Sequence, residues 1–493
     1  MHEMSMLAMG VMAVGLLGGG DEIEKVETEK ITLTIRNHET GKPLADVQVT
    51  QSRSSKQSEY AHRPVATKQT DTDGKAVFEG NPARDSYCVD TTFLPPQQLH
   101  FDLNGKGVTS NVERSKHYHR GIVVRQKKDD PEKLEVYGSH GAVKEELTAY
   151  VGTYTGDSGS KGIYRIRVGQ TKGIISKPEL VAEIANPSFL ASDGRYLYAV
   201  SESLNKLVAY DMGNEDGMLT LLNEAETGKG PCHVVLSGHG LTVADYGGGS
   251  VGAWHLRRGG LIGDRYAFVQ HTHASQATGR QQHPHAHGTI QMGMSLLVPD
   301  LGADRVYVYD GGGLPREMTP NKTTPWLELP PGRGPRHAVI QERAKWDAES
   351  RTKWTLYVLN ELSNSISVFE YDFVKNTFSF VEEVSTLPAG FTGESFAAEL
   401  IVQGNTLYST NRGHDSIARF QCDPKTGRLT LVECVPCGGK WPRHFTIMPG
   451  GSLMLVANQN SNNIAVFRIG KEGALTLMPD AGVDIGAPAC VVF

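Results

Sequence analysis

Seven times between Tyr150 and the C-terminus the chain repeats one pattern: a small-residue or Pro step, a short apolar strand, a second strand, an Asx-rich turn and a third strand. Six copies are plain in AVSESLNKLVAY, VADYGGGSVGAW, VPDLGADRVYVY, VLNELSNSISVF, STNRGHDSIARF and VANQNSNNIAVF, and YVGTYTGDSGSKGIYRI is a looser first copy. Copies begin about 44 to 60 residues apart, the spacing of propeller blades rather than of helical repeats. A closed ring of four-stranded sheets leaves only short, protected edges, the all-β answer to the edge-strand problem. The predicted class is therefore all-β, a seven-bladed β-propeller, latched by pairing of the opening YVGTYTG strand with the closing ACVVF strand. When the first strands are stacked, one column reads Phe189, His233, His287, His337, Glu399, His444 and Cys490. In a ring, these positions all face one channel.

The repeat leaves about 150 residues ahead of it, and the chain divides accordingly. Residues 1–30 are an apolar leader followed by a charged linker; 31–128 read as a small β-sandwich; 129–146 are polar and turn-rich, a second linker; 147–493 form the propeller. Within the leader, Met6 to Gly18 has the length of a signal-peptide h-region, too short to span a bilayer as a helix. No Lys or Arg precedes it, so a periplasmic or secreted location and a cytoplasmic one both stand. In the second segment, GKPLADVQV followed by TDTDGKAVFEG resembles the carboxypeptidase-regulatory-like and transthyretin-like sandwiches, and implies a binding or stability module rather than a catalytic one.

Composition narrows the partners. Across 493 residues, 49 Lys and Arg stand against 55 Asp and Glu, for a net charge of −6. There is no basic surplus to hold a nucleic-acid backbone and no cationic run for a membrane surface. The six cysteines are scattered, which is not a disulfide framework. Cys434-Val-Pro-Cys437 has CxxC spacing, but no second Cys or His pair follows at zinc-ribbon distance, so it reads as a strand-end pair. The oligomeric state is left open.

The candidate chemistry lies where first strands begin and where the Asx turns follow. The first strands bring GPCH (His233), HPHAH (His283, His285, His287), GPRH (Arg336, His337), AAEL (Glu399) and WPRH (Arg443, His444). Asp245, Asp300, Asn360, Asn411 and Asn458 share one turn position, where Asx residues bond their own backbone and tolerate left-handed conformations. Glu361 and Arg412 directly follow two of them. A mouth lined by Arg and His suits a small anion, because guanidinium forks hold carboxylate or phosphate bidentately. Histidine adds a general base or acid near neutral pH. The recurring His233 and His444 also fit an architectural role, bonding a neighbouring blade's backbone. His337 would support Arg336, and Glu361 and Glu399 would partner the arginines. The HxHxH run, with His271 and His273 nearby, raises a metal reading, but no carboxylate shares the motif; no metal or other cofactor is expected.

HPHAH, VPDLGADRVYVY, GPRHAVI, VLNELSNSISVF, STNRGHDSIARF and WPRHFTIMPGGSLMLVANQNSNNIAVF, in that order, resemble the lactonase-type seven-bladed propeller family over roughly residues 147–493. That family contains propeller 6-phosphogluconolactonases and 3-carboxy-cis,cis-muconate lactonizing enzymes. In the lactonizing members a His, two Arg and a Glu at the channel mouth are proposed as the active site. The resemblance carries these onto His285 or His287, Arg336, Arg412 and Glu361, with His233, His337, Glu399, Arg443 and His444 as substrate-binding candidates. It implies metal-independent hydrolysis of a small anionic sugar-acid lactone. The alternatives are muconate-type lactonization through the same residues and a non-catalytic propeller scaffold. The stretches GGGLPREMTPNKTTPWLELPPG and QERAKWDAESRTKW lengthen the middle copies and are expected to shape the rim.

Overall fold

The computed structural model describes residues 29–37, 43, most strand residues between 48 and 137, and 146–493 apart from 171, 214–217, 238–239, 277–278, 294, 311–317 and 344–351. The apolar leader lies outside the described residues. Among the described residues, no helix is long and apolar enough to cross a membrane.

The N-terminal unit contains two antiparallel sheets. One is built around Glu29–Asn37, which pairs with Lys75–Gly80 and Gln98–Leu103. Its alternation buries Leu33 and Ile35 on one face. In the turn before Lys75–Gly80, the Asp71 carboxylate accepts from the backbone N–H groups of Asp73 and Lys75. The second sheet has five strands and ends in Asp130–Tyr137, which pairs with Gly121–Lys127. Residues 130–137, read from their polarity as part of a linker, are thus an edge strand of this sheet.

Seven sheets follow. In each of blades two to seven the chain runs from the innermost strand outward: Phe189–Ser192 opens blade two, Pro231–Ser237 blade three, Ile290–Met292 blade four, Pro335–Glu342 blade five, Phe396–Gln403 blade six and Pro442–Ile447 blade seven. Blade one has its second to fourth strands from the start of the repeat (Glu146–Thr153, Gly162–Gly169, Glu179–Glu183) and its innermost strand from the end of the chain, Pro488–Val492. The expected latch is present, with Tyr150 opposite Val492 and Gly152 opposite Cys490. The first of the two inserts supplies a split outer strand to blade four, Thr319–Pro320 and Trp326–Glu328, both on Arg305–Asp310.

Apolar residues pack between blades rather than around one centre. Leu453, Leu455, Ile464 and Val466 of blade seven meet Ala149, Val151, Ile166 and Val168 of blade one, all fully buried or nearly so. That layer seals the ring where the two ends of the repeat meet. At about 25 cal/mol per Å² of apolar surface, burial of this kind is the dominant favourable contribution between blades.

The Asx turns differ from expectation in an informative way. Asp245, Asp300, Asn360, Asn411 and Asn458 are completely buried at the ends of second strands. They tie the turn from inside: Asn360 Nδ2 donates to Ser365 and Ser367, and Asn411 Nδ2 to the Thr386 carbonyl. The left-handed position is four residues later, at Asn205, Asp304, Asn364, Asp415 and Asn462, with Gly249 in blade three. Short polar side chains and glycine tolerate it. These side chains also join blades. Asn205, Asp304, Asp415 and Asn462 each accept from the backbone N–H that precedes the next innermost strand: Gly230, Gly334, Trp441 and Ala487, at 2.6–2.8 Å.

Asp245 carries an acid in a position that three other blades fill with asparagine. Its carboxylate accepts from Ser250 at 2.8 Å, yet its Oδ1 has no partner, and burial pushes its pKa up to about 7. The folded state therefore holds this proton across a range where the unfolded chain releases it, so the group's contribution to stability is lost as pH rises from about 4 to 7. Asp245→Asn should raise stability at pH 8 by roughly 2–4 kcal/mol, from about 1.4 kcal/mol per pKa unit, with the gain shrinking towards pH 4. Urea unfolding at the two pH values checks this; an equal effect at both would show that Asp245 is not buried as an acid.

Candidate active site

Two features of the repeat aim side chains at the channel. The first is a bulge at the start of several innermost strands: the register slips between Pro231 and His233, Pro335 and His337, and Pro442 and His444. A bulge re-aims the residue it adds; here these are Cys232, Arg336 and Arg443. The second is the residue directly after each buried Asx, whose backbone is fixed over the channel. The N–H groups of Tyr246, Glu361 and Gln459 donate to the carbonyls of Gly230, Gly334 and Trp441 at 2.8–3.0 Å. Tyr154 and Glu202 are held in the same way by Ala487 and Asn186.

The aligned column does converge, and its rings pack on one another. Phe189 lies 4.2 Å from His233, 5.9 Å from His337 and 5.6 Å from His444 between ring centroids, and His287 is 5.4 Å from His337. Several of these polar groups are engaged within the fold. His233 Nδ1 accepts from the Thr289 backbone and His444 Nδ1 from the Val491 backbone, each on the next blade in the ring. His337 Nδ1 is 3.0 Å from Glu399, and His444 Nε2 is 3.7 Å from the same carboxylate. Burial first, and then the neighbouring arginines and imidazoles, hold His233, His287 and His337 well below the ordinary histidine pKa. These rings are neutral.

Against that packed layer stands one buried carboxylate with three guanidinium groups. Glu361 Oε2 is 3.1 Å from Arg336 Nε and 3.0 Å from Arg412 Nη2, and Oε1 accepts from Arg280 Nη1 at 2.6 Å. Burial works to raise the Glu361 pKa, but Arg412, Arg336 and Arg280 together outweigh it and bring it to about 2. Oε2 nevertheless makes no well-aligned hydrogen bond, and neither does Arg336 Nε. Arg336 Nη1 also donates to the Ala398 carbonyl, Arg412 Nε to that of Phe396, and the same Arg412 Nη2 to that of Ala397. His287 Nε2 is 3.7 Å from Glu361 Oε2, while its Nδ1 faces the Cys232 thiol at 3.7 Å. A neutral imidazole, a carboxylate and the edges of two arginines thus meet in one small space.

A second cluster faces the channel from blades one, two and seven. Arg443 donates to the Tyr154 hydroxyl at 2.6 Å and lies over its ring, and Tyr154 donates to Glu202 at 2.8 Å. Burial is the main force pushing the Tyr154 pKa up to about 12, so it remains a phenol. Around the Glu361 cluster, Phe396 and Trp441 provide aromatic faces against Arg412. Trp441 adopts φ +64°, an uncommon conformation for a bulky side chain.

The structure brings together His287, Arg336, Arg412 and Glu361 from the predicted set. Arg443 belongs to the second cluster, and His233, His337, Glu399 and His444 to the packed layer. The two candidate histidines of HPHAH separate. His285 Nδ1 bonds the Tyr246 carbonyl at 2.8 Å and its ring stacks on Tyr246, whereas His287 faces Glu361. His271 is occupied inside blade four by Asp300 and Tyr309. Four residues of the site escaped the reading of the sequence: Tyr154, Glu202, Tyr246 and Arg280. The first three had a signal, since each occupies the same position after the second strand as Glu361 and Arg412. Arg280 had none, because it lies in the connection between blades three and four, outside the repeat.

The family described as "Lactonase, 7-bladed beta-propeller" matches residues 148–493. A Bacillus subtilis protein named 6-phosphogluconolactonase is 32% identical over 357 residues, 70% of this chain and 97% of its own. An uncharacterized Staphylococcus aureus protein is 31% identical over 360 residues, again 70% of this chain and 99% of its own. Among solved structures, the periplasmic gluconolactonase of Pseudomonas aeruginosa superposes with a TM-score of 0.63 at 30% identity, covering 70% of this chain and 98% of that one.

Glu361 carries the charge balance of its cluster. Glu361→Gln leaves three guanidinium groups facing one another without a carboxylate and should cost about 3–5 kcal/mol, as loss of one partner from a buried pair does. Because the native pKa is depressed, this stabilisation is present above about pH 4.5 and fades as pH falls towards 2. Denaturant unfolding at pH 7 and pH 3 measures both, and added phosphate should restore part of the loss by binding the exposed arginines. A variant as stable as wild type at pH 7 would show that the arginines do not depend on Glu361.

Proposed function

The chain belongs to the lactonase family of seven-bladed β-propellers, and we propose that it hydrolyses a sugar-acid lactone at the channel mouth, with His287, Arg336, Arg412 and Glu361 as the working residues. The observation that carries this reading is the meeting of a neutral buried imidazole with a Glu361–arginine cluster whose Glu361 Oε2 and Arg336 Nε lack aligned partners.

Hydrolysis needs a base to take a proton from water, positive charge where the carbonyl oxygen becomes an oxyanion, and a proton for the departing ring oxygen. His287 is suited to the first task, because burial and the adjacent arginines keep it unprotonated at neutral pH. Water attacks the lactone carbonyl carbon as its proton passes to His287 Nε2. Arg336 and Arg412 stabilise the oxyanion, and they are already desolvated and fixed by Glu361, so little reorganisation accompanies the charge. Collapse of the tetrahedral intermediate breaks the bond to the ring oxygen, which takes the proton back from His287. The product is the open hydroxy acid, and its carboxylic proton goes to solvent. Glu361 positions the two arginines.

Purified protein should accelerate opening of 6-phosphoglucono-δ-lactone or glucono-δ-lactone. His287→Ala and Arg336→Ala should each lower kcat/KM by ~100-fold or more, in line with typical losses of a general base or an oxyanion donor. Turnover of 3-carboxymuconate in place of either lactone would move the assignment to lactonization; no turnover of any of the three would overturn the enzyme reading.

The pH profile tests His287 separately. With its pKa depressed, the acid limb of kcat/KM should lie below pH 6.5, the ordinary histidine value, and activity should persist at pH 6. A limb at or above 6.5 that disappears in no histidine variant would remove His287 as the base.

A further inference from the structure

Arg280 differs from the other two arginines on Glu361 in every respect that bears on ligand contact. Arg336 and Arg412 are rooted in innermost and second strands, and their side chains are only 4% and 6% exposed. Arg280 comes from the short 3-10 turn Gly279–Gln281 in the connection between blades three and four, and its side chain is 43% exposed. Charge balance does not require it, since one carboxylate already faces two buried guanidinium groups.

Its contacts hold it across the entrance to the cluster. One terminal nitrogen donates to Glu361 Oε1 at 2.6 Å, and Nε and Nη2 reach the Tyr246 hydroxyl at 3.2 and 2.9 Å. The guanidinium lies 5.9 Å from the centroids of both the Tyr246 and Phe396 rings. Arg412 lies 6.0 Å from the Phe396 centroid, so that one ring is shared by a buried cation and a solvent-facing one. Tyr246 in turn stacks on His285 and meets His287 edge-on. Arg280 is thus the solvent-exposed member of the cluster, whereas Glu361 and His287 are buried.

We infer that Arg280 is a specificity-determining residue, which holds an anionic substituent of the lactone remote from the scissile bond, while Arg336 and Arg412 serve the carbonyl. This rests on the lactonase reading and adds to it the charge of the substrate: a phosphate ester or carboxylate at the end of the ring substituent farthest from the carbonyl. A guanidinium fork exchanges its bonds to a phenol for two charge-assisted bonds to such a group. Because that contact is the same in the bound substrate and in the transition state, it acts mainly on KM.

The test is a ratio. kcat and KM are measured for wild type, Arg280→Gln and Arg280→Lys on 6-phosphoglucono-δ-lactone, on a glucaric acid lactone and on uncharged glucono-δ-lactone. Loss of one charge-assisted contact predicts that Arg280→Gln lowers the charged-to-uncharged ratio of kcat/KM by ~10- to 100-fold, mostly through KM, and that Arg280→Lys restores part of it. Loss of preference for both charged lactones identifies a general anion site, and loss for the phosphate alone a dianion site; either supports the assignment. A ratio unchanged in Arg280→Gln overturns it, including the case in which all three substrates lose kcat equally, which would make Arg280 a support for Glu361 only. Wild type inactive on all three lactones overturns the lactonase reading, and this inference with it.

Discussion

Among the described residues no disulfide closes the ring. The seven blades become a channel only because Pro488–Val492 pairs with Glu146–Thr153, strands separated by nearly the whole repeat, and because the apolar layer between blades seven and one seals that junction. Every convergence at the centre depends on this pairing. Phe189 touches His233, His337 and His444 from three different blades, and Arg443 from blade seven bonds Tyr154 from blade one. In an open array of the same sheets, those residues would face solvent as isolated charges and rings.

Closure alone would give a uniform channel; the side chains at two fixed backbone positions make it a site. At the bulge the repeat offers Cys232, Arg336 and Arg443 in different blades, and after the buried Thr, Ser or Asx near the end of the second strand it offers Tyr154, Glu202, Tyr246, Glu361 and Arg412. The backbone cost of exposing such positions is met by the fold's regular bonds, the turn N–H to the carbonyl before the innermost strand and the left-handed Asx to the next blade. The side chains at these positions can therefore differ from blade to blade while the backbone bonds around them stay the same. That is why a repetitive scaffold can carry an irregular site.

The same logic decides what the sequence could disclose. Blade number, the latch and the histidine column follow from periodicity, because each copy obeys one rule. His287, Arg336, Arg412 and Glu361 were legible as departures from that rule. Tyr154, Glu202 and Tyr246 were overlooked at a position that had already yielded Glu361 and Arg412, since a tyrosine in VADYGG or TYTG looks like an ordinary strand-end aromatic. Arg280 was beyond reach of any pattern, because its placement over Glu361 is a long-range contact made by an irregular connection. The shared Asx was located correctly, and its role in bonding the turn holds, as where Asp300 Oδ1 accepts from the Ala303 N–H. The left-handed backbone expected there falls four residues on.

Electrostatics links these parts. Four arginines, Arg280, Arg336, Arg412 and Arg443, surround the mouth, and only Glu361 lies against three of them, while Arg443 is answered through Tyr154 by Glu202. In water such a group of cations would attract counterions. Burial first, and then these cations, depress the neighbouring imidazole of His287, and the cations acidify Glu361 against the effect of its burial. One arrangement therefore keeps an imidazole neutral at neutral pH and gathers positive charge beside it, the two properties that the proposed hydrolysis calls on. Neither property belongs to a single residue. Both follow from placing more guanidinium than carboxylate where the blades, held shut by the pairing of Pro488–Val492 with Glu146–Thr153, converge.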